Sequence, residues 1–369
     1  MTQHQPSIHV DLRSDTVTLP TTSMYERVLS APLGDDGLDG DPTAQALEQS
    51  TAIILGKEAG LYVPSATMAN LLAILAQVQR QEMVLAGAAS HIYTAERGAA
   101  TVTGAFYQAI PDQSGALDPD ALAAAFASTK GNLKTRLVCA ETSHNNEGGS
   151  VASLEHMRTV YEMSNAAGVN VHLDGARLFN AAIALQVPAR VIGAQADTIS
   201  VCLSKGLSAP MGAVLVGPEK TISEARWLRK LIGGAQRQVG IAAAMGLEAL
   251  DTMVQRLSSD HEHAKDLAGG LEGIQGLRIR QPQTNIVQVD VSNTGMGAKD
   301  WETQLRTRNV LVRPWGPTLL RCVTHRHIDG SSITAAVQAF QAIADGRRAP
   351  LQQALTNSFS TFHQASSRK

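Results

Sequence analysis

Hydrophobic residues alternate with polar ones in two short stretches of the chain, and each stretch stops at a charged side chain. Residues 169–173 alternate in this way before Asp174, and residues 199–203 do so before Lys205. A period of two indicates β-strands, and the connection between the stretches is long enough for a helix. This βαβ pattern predicts a parallel sheet. Because ligands of such sheets bind beyond the carboxyl ends of the strands, we expect Asp174 and Lys205 to face one crevice.

The same periodicities predict the other elements of the chain. Before residue 169 they predict strands at 60–63, 82–86 and 136–140 and helices at 44–55, 66–79, 119–129 and 153–167. Asp41 and Pro42 are typical of a helix N-terminus. Residues 105–116 are expected to form a loop. After residue 217 the pattern predicts a long helix over 239–257, strands within 277–291 and 310–323, and a helix over 333–344.

The size and composition of the chain predict two domains. A chain of 369 residues with 44% hydrophobic content is long enough to bury a large core. We expect a large α/β domain over 1–250, in which residues 1–20 form an N-terminal arm, and a smaller α/β domain over 251–350. The polar, serine-rich residues 351–369 are expected to form a frayed tail.

Charge and cysteine content exclude several classes of partner. A formal net charge of −2 provides no general attraction to nucleic acid or to anionic membranes. No stretch approaches the ~18 apolar residues of a membrane span, and the N-terminus lacks the features of a signal peptide. The cysteines are odd in number and lie in apolar surroundings at Cys139, Cys202 and Cys322. We therefore expect a cytoplasmic protein with reduced thiols, no metal, and neither a nucleic-acid nor a membrane partner.

The chemistry of Asp174 and Lys205 indicates a cofactor. A lysine amine in a low-dielectric cleft is a nucleophile towards carbonyl groups. A carboxylate on the neighbouring strand is the partner that a protonated pyridine nitrogen needs, and the two together are typical of pyridoxal phosphate (PLP) sites. The plain structural alternative is that Asp174 and Lys205 cap helices or pair with each other.

Two longer segments surround these residues, HLDGARLFNA at 172–181 and SVCLSKGLSAPMGAVLVG at 200–217. Together with DLRSDTVTLPT, GDDGLDGDPTAQALE, YVPSATMAN, SHIYTAERG, ETSHNNEGGSV and RCVTH, they resemble the blocks of the threonine aldolase family of PLP enzymes. The blocks occur in the family's order, and the resemblance covers nearly the whole chain. It implies the aspartate-aminotransferase-like fold, PLP fold type I, in which the large domain binds the cofactor.

The resemblance implies a set of cofactor-binding residues. Lys205 would carry PLP, and Asp174 would contact its pyridine nitrogen. Residues at a predicted helix N-terminus are suited to a phosphate, whose negative charge is stabilised by free backbone N–H groups there. Those residues are Ser65, Ala66 and Thr67, where Ala66 replaces the family's usual glycine. The other implied residues are His91 over the ring, Glu141 near the ring, and Arg177 and Arg237.

The resemblance also implies a substrate-binding set. Arg321, a charge within an apolar strand that needs a partner, would bind the amino acid's α-carboxylate together with Ser14. Arg313 is the alternative for that role. Arg177 would contribute to substrate binding as well. His91, His144 or a bound water would remove the proton of the β-hydroxyl group, and the sequence does not distinguish among them.

Two departures from the family pattern concern the substrate pocket. Leu38 and Ala95 stand where family members usually carry aromatic residues. Their smaller size predicts a larger apolar pocket and a preference for a bulky, phenylserine-like substrate over threonine. In the family, active sites are built across subunits, so we also expect a homo-oligomer, a tetramer or a dimer.

The predicted reaction is PLP-dependent cleavage of a β-hydroxy-α-amino acid to glycine and an aldehyde. One alternative is another PLP reaction on the same fold, such as β-elimination or racemisation. A nucleotide-binding oxidoreductase is a second, although the sequence has no G-x-G-x-x-G at a strand-to-helix turn. A third is a non-catalytic PLP-binding protein, against which the retained Lys205, Asp174, Arg177, His91 and Arg321 argue.

Overall fold

The structure is a computed structural model that describes residues 10–96, 98–128 and 133–346. The chain divides into two compact units. The larger unit contains residues 15–261 and 283–285, and the smaller one contains the described parts of 1–14, 262–282 and 286–369. The predicted tail at 351–369 lies outside the described residues, and the domain division made from the sequence stays a prediction.

Short strands are distributed along the whole described chain. They are β1 (Val10–Asp11), β2 (Ala59–Val63), β3 (Met83–Gly87), β4 (Phe106–Ile110), β5 (Asp112–Gln113), β6 (Ala116–Leu117), β7 (Thr135–Glu141), β8 (Asn170–Gly175), β9 (Thr198–Cys202), β10 (Ala213–Gly217), β11 (Arg278–Arg280), β12 (Ile286–Asp290), β13 (Val310–Leu311), β14 (Arg313–Pro314) and β15 (Leu319–Val323).

Helices separate most of these strands. They are α1 (Thr22–Leu29), α2 (Pro42–Leu55), α3 (Ala66–Leu75), α4 (His91–Thr94), α5 (Ala99–Thr103), α6 (Pro119–Ala127), α7 (Leu154–Ala166), α8 (Leu178–Leu185), α9 (Ala189–Gly193), α10 (Glu219–Leu231), α11 (Gly240–Thr252), α12 (Leu257–Leu271), α13 (Ala298–Arg306) and α14 (Gly330–Gly346). Asp41 caps α2 by accepting from the Ala44 N–H group, and Pro42 is its first residue, as predicted.

Seven strands form the sheet of the larger unit, in the order β2-β10-β9-β8-β7-β3-β4. The run from β9 to β4 pairs in parallel, while β10 is antiparallel to both of its neighbours. Every residue of β9 and β10 is buried, which is typical of strands covered on both faces. This confirms the predicted α/β class with a mostly parallel sheet.

The parallel strands place their carboxyl ends at one edge of the sheet. Glu141 of β7 lies across from Asp174 of β8, and Asp174 lies across from Ser200 of β9. The sheet is close-packed at this edge, because a Cβ atom on Gly175 would come within 2.7 Å of the Ser200 carbonyl oxygen. Glycine is therefore required directly after Asp174.

Three predicted elements were wrong in extent or type. Residues 105–116 contain β4, β5 and the first residue of β6 rather than a loop. Because β4 is an edge strand with Phe106 51% exposed, it lacks the apolar run that marks a buried strand. The long helix over 239–257 is two helices, α11 and α12, and the helix predicted over 66–79 ends at Leu75. Helix boundaries depend on tertiary packing that periodicity does not report.

The smaller unit has its own sheet and core. Its antiparallel strands run in the order β11-β12-β15-β14, and β1 pairs in parallel with β13. Trp301 of α13 and Phe340 of α14 stack with ring centroids 5.5 Å apart, and both are fully buried. A separate apolar core of this kind is what an independent α/β layer requires.

The cysteines and the helix hydropathy bear on two expectations made from the sequence. Cys139, Cys202 and Cys322 are buried free thiols, as predicted. Within residues 10–346, apart from the undescribed gaps, no helix combines the length and hydropathy needed to cross a membrane.

Candidate active site

Asp174 is fixed at the carboxyl end of β8. The residue is 2% exposed. Its Oδ1 atom accepts a hydrogen bond from the Ala176 N–H group at 3.1 Å, and its Oδ2 atom accepts from Asn70 Nδ2 at 2.9 Å. A buried carboxylate held on both oxygens keeps one orientation, which is the requirement for a fixed partner of a ligand nitrogen.

Lys205 follows β9 in a tightly held loop, half-buried. Its carbonyl oxygen accepts from Thr18 Oγ1 at 2.9 Å and from the Ser208 N–H group at 2.9 Å. A Cβ atom on Gly206 would meet Leu257 at 2.8 Å, so a larger residue would displace the loop. The structure thus places Lys205 and Asp174 after adjacent strands at one edge of the sheet, and Lys205 lines a small cavity together with Arg177.

The predicted phosphate site is the N-terminus of α3. Ser65 is the N-cap residue, and its Oγ atom accepts from the Met68 N–H group at 3.2 Å. Ala66 and Thr67 form the first turn, whose backbone N–H groups have no partner within a helix. Thr67 Oγ1 donates to Glu96 Oε1 at 3.1 Å. A half-exposed helix N-terminus is suited to an anion such as phosphate.

His91 begins α4 and contacts two carboxylates. Its backbone N–H group donates to Glu141 Oε2 at 2.6 Å, and its Nδ1 atom lies 2.8 Å from Glu96 Oε1. The hydrogen bond to Glu96 raises the pKa of His91. Burial raises the pKa of Glu141, whose other oxygen accepts from the Asn145 N–H group at 2.7 Å. His91 and Glu141 are therefore joined directly at the edge where Asp174 lies.

His144 is a buried histidine whose ring atoms make no hydrogen bond with any described residue. It is 2% exposed, and Nε2 lies 3.8 Å from Glu141 Oε2. The ring packs directly on Gly115, where a Cβ atom would come within 2.6 Å of it. A buried imidazole with both nitrogens unsatisfied is costly unless a ligand or water contacts it.

Arg177 forms a buried ion pair within the larger unit. Its Nη2 and Nε atoms donate to the two carboxylate oxygens of Asp15 at 2.7 and 2.8 Å, and its Nη1 atom donates to Asn145 Oδ1 at 3.2 Å. Arg177 is 5% exposed, and Asp15 is fully buried. The pairing holds the guanidinium rigidly beside the loop of Asn145.

Three predicted residues lie on the surface of the chain. Arg237 contacts Asp35 at 3.4 Å, so its environment includes a local acidic partner. Leu38 is 78% exposed, in the same glycine-rich loop as Asp35. Ala95, the residue directly after α4, is exposed as well. Among the described residues, none of these three makes a hydrogen bond with Asp174.

Ser14 and Arg321 belong to the smaller unit. Arg321 in β15 is 2% exposed, and its guanidinium lies 4.1 Å from the centroid of the Trp315 ring. Its Nη2 atom donates to the carbonyl oxygen of Arg13, next to Ser14, at 3.3 Å. Arg313, paired with Arg321 across β14 and β15, is exposed. The buried position favours Arg321 over Arg313 as a fixed carboxylate-binding group.

Sequence reasoning gave no role in the site to Asn70 and Glu96, and it placed Asp15 only in the N-terminal arm. Each contacts a predicted residue, namely Asp174, His91 or Arg177. A further spacing concerns three side chains that could coordinate a metal, His91, Glu96 and Asp174. Each has one nitrogen or oxygen atom within 4.8 Å of the corresponding atoms of the other two. That spacing alone would suit a cation, but the hydrogen bonds above account for it, and the expected absence of a metal stays a prediction.

The residues at this edge fit PLP as a ligand. They offer an amine for its carbonyl group, a buried carboxylate for its ring nitrogen and a helix N-terminus for its phosphate. The buried, unsatisfied ring of His144 adds a group that a ligand can contact. An aspartate at the end of one parallel strand and a lysine just beyond the adjacent one are the arrangement expected of a fold type I PLP-dependent enzyme.

Comparison with known proteins agrees with this class. The family model described as beta-eliminating lyase matches residues 11–294. Low-specificity L-threonine aldolase 1 of Arabidopsis thaliana is 39% identical over 341 residues, covering 90% of this chain and 95% of that protein. The low specificity L-threonine aldolase of Escherichia coli is 36% identical over 337 residues, covering 90% of this chain and 98% of that protein. The chain belongs to the threonine aldolase family.

A solved structure shows the same fold at lower identity. The Leishmania major threonine aldolase superposes with a TM-score of 0.78 at 18% identity, covering 91% of this chain and 99% of that chain. The family identification, the fold class and the class of enzyme, a PLP-dependent lyase, are therefore confirmed. The roles of individual residues stay predictions.

Proposed function

We propose that this chain cleaves L-threonine, L-allo-threonine or a bulkier β-hydroxy-α-amino acid to glycine and an aldehyde. The observation that carries the proposal is the position of Asp174 at the carboxyl end of β8, in contact with α3 through Asn70, and of Lys205 just beyond the adjacent parallel strand β9. The relatives named L-threonine aldolases support the reaction and the substrate class.

The residues of the larger unit would hold the cofactor. When bound, PLP supplies an electron sink for the pair released from the Cα–Cβ bond of the substrate. Lys205 would bind it covalently, Asp174 would pair with its ring nitrogen, and Ser65, Ala66 and Thr67 would bind its phosphate. Because Asp174 is fixed on both oxygens, the ring plane would be set by the protein and not by the substrate.

Arg321 is proposed to bind the α-carboxylate of the substrate together with Ser14. Ser14 follows Arg13, whose carbonyl oxygen accepts a hydrogen bond from Arg321. A buried guanidinium held over the Trp315 ring keeps its orientation, and its planar shape suits a carboxylate. Fixing the carboxylate would fix which bond at Cα lies perpendicular to the cofactor ring, and that geometry selects the bond that breaks.

His91 and His144 are the side chains proposed to exchange a proton with the β-hydroxyl group, with a bound water as the alternative. In His91 the Nδ1 atom is occupied by Glu96, so a transferred proton would pass through Nε2. Since Glu96 raises the pKa of His91, that ring keeps a proton to higher pH than an isolated imidazole. His144 has both ring nitrogens without a hydrogen bond among the described residues.

Product analysis tests the reaction. Purified protein with PLP and L-threonine is expected to yield glycine and acetaldehyde in equal amounts. The family model's description as beta-eliminating lyase favours one alternative, β-elimination. That reaction would give 2-oxobutanoate and ammonia from threonine, and racemisation at Cα would give D-allo-threonine. Either product in place of glycine would contradict the proposed function.

Assembly of the active site from two copies of the chain is proposed as well. Leu38 and Arg237 are exposed in the glycine-rich loop region, together with large apolar side chains of α1 and α10 such as Leu29 (89% exposed) and Trp227 (59% exposed). Large exposed apolar side chains are candidates for burial between subunits. We expect a homo-oligomer, a tetramer or a dimer, by light scattering, and a fully active monomer would contradict this expectation. The cytoplasmic location of the protein stays a prediction, made from its reduced cysteines.

The substrate preference is predicted from Leu38 and Ala95. Replacing Ala95 with tyrosine should fill space next to the substrate side chain and lower the phenylserine-to-threonine ratio of kcat/KM by roughly tenfold, since each buried methylene contributes about 0.8 kcal/mol. Val102→Tyr, at an exposed position of α5, is the matched control and should leave the ratio unchanged. An unchanged or higher ratio in Ala95→Tyr would show that the pocket is not enlarged.

A further inference from the structure

Asn70, a buried residue of α3, makes hydrogen bonds in four directions. Its Nδ2 atom donates to Asp174 Oδ2 at 2.9 Å and lies 3.3 and 3.4 Å from the two carboxylate oxygens of Glu96. Its Oδ1 atom accepts from Ser200 Oγ at 2.7 Å and from His172 Nε2 at 3.0 Å. The residue is 1% exposed. Two donors and two acceptor positions are all that an asparagine amide has, and here all are used.

The partners determine the orientation of this amide. An ionised carboxylate only accepts hydrogen bonds, so the NH₂ group of Asn70 must face Asp174 and Glu96. Its oxygen must then face Ser200 and His172, both of which have a hydrogen to donate. A flipped amide would place its oxygen against two carboxylates and lose the hydrogen bonds to Asp174 and Glu96.

His172 is neutral and has a defined tautomer. The residue is fully buried, and this burial lowers its pKa to about 4. Its Nδ1 atom lies 2.9 Å from Thr198 Oγ1, and that hydroxyl in turn accepts from Gln77 Nε2 at 3.1 Å. Because Asn70 Oδ1 can only accept, the single ring hydrogen of the neutral His172 is on Nε2, and Nδ1 accepts from the Thr198 hydroxyl. The result is a one-way chain from Gln77 through Thr198 and His172 to Asn70.

The far side of Asn70 joins two parts of the proposed cofactor site. Asp174 is the proposed partner of the cofactor's ring nitrogen, and Glu96 accepts a hydrogen bond from His91, the proposed residue over the ring face. Glu96 also accepts from Thr67 at the proposed phosphate site. A single amide thus sets the spacing between groups that would contact three different parts of one ligand.

We propose that Asn70, held by His172 and Ser200, is a positioning residue that prearranges Asp174 and the Glu96–His91 pair for PLP binding. The inference rests on the proposed function and deepens it. Asn70 acts through Asp174 and Glu96 and not by touching the reacting atoms. Supporting residues of this kind raise affinity because the site does not have to reorganise when its ligand binds.

A matched pair of serines tests the proposal without removing a large side chain. Ser200 and Ser164 are both fully buried, and each donates one hydrogen bond of 2.7 Å, to Asn70 Oδ1 and to the Val160 carbonyl oxygen respectively. Ser200→Ala and Ser164→Ala should therefore lower the melting temperature of the cofactor-free protein by similar amounts. Only Ser200→Ala is expected to raise the dissociation constant for PLP, measured by absorbance titration, by about fivefold or more.

Asn70→Leu, similar in volume, should raise that dissociation constant by more than about tenfold and lower kcat at saturating PLP. If Ser200→Ala, like Ser164→Ala, bound PLP as tightly as the wild type, the proposal would be overturned, whether or not Asn70→Leu folds. If both serine variants lost PLP affinity by the same factor, it would be overturned too, because the loss would then reflect general destabilisation. If the wild-type protein itself bound no PLP, the proposed function would be contradicted. That outcome is distinguishable from a failure of the Asn70 proposal, in which the wild type binds PLP and the serine variants do not differ.

Discussion

Replacing Lys205 with alanine is expected to abolish repeated turnover, with a loss of kcat on the order of a thousandfold or more. The amine is the group proposed to bind PLP covalently, so each cycle would lack the nucleophile that releases the product. The loop itself should survive, since the bonds from Thr18 and Ser208 end on the backbone carbonyl of Lys205 and not on its side chain. Some PLP should remain bound through the N-terminus of α3.

Chemical labelling distinguishes Lys205 from another lysine of the same unit. Treatment of the PLP-loaded protein with borohydride should leave the pyridoxyl group on Lys205, as located by peptide mapping. Lys57 is the matched control, because burial lowers its pKa and favours the reactive neutral amine. Its side chain donates to the Ala196 carbonyl oxygen, away from the proposed cofactor groups. Label found on Lys57, or full activity in Lys205→Ala, would contradict the assignment.

The centre of the fold was predictable because its signals are local. In β8 and β9 the alternation of side chains and the charged residue that follows occur within a few positions of each other. The edge strand β4 was missed because only one of its faces is covered, and an exposed Phe106 does not mark a buried strand. The break between α11 and α12 was missed because it depends on packing between distant segments.

The candidate site divides in the same way. Residues after strand ends, such as Asp174 and Lys205, could be found from the sequence because sheet topology brings strand ends together. Asn70 and Glu96 could not, since their partners lie far away in the chain and no spacing reports them. One signal existed for Asn70: it is a polar residue within the otherwise apolar segment that forms α3. A residue of that kind must find hydrogen bonds when the helix is buried.

Asp15 was predicted only as part of the N-terminal arm, yet it forms the buried pair with Arg177. Replacing it with asparagine should lower the free energy of unfolding by about 3–5 kcal/mol at pH 7, because a buried guanidinium loses its counter-charge. Burial alone would raise the pKa of Asp15, but the Arg177 guanidinium outweighs it and lowers that pKa. Activity should fall as well, since Arg177 is a proposed cofactor- and substrate-binding residue.

The pH dependence of this loss has a definite sign. A carboxyl group whose pKa is lower in the folded than in the unfolded state stabilises the fold above the unfolded pKa, and the contribution disappears as pH falls towards the folded value. The difference between wild type and Asp15→Asn, measured by urea unfolding, should therefore be constant from about pH 6 to 8 and shrink below about pH 4. Asp11→Asn is the matched control, since Asp11 also accepts two bonds from one arginine, Arg13, but in an exposed pair. It should cost at most about 1 kcal/mol. A loss that is equally small for Asp15→Asn, or one that grows as pH falls, would show that the buried pair does not stabilise the fold.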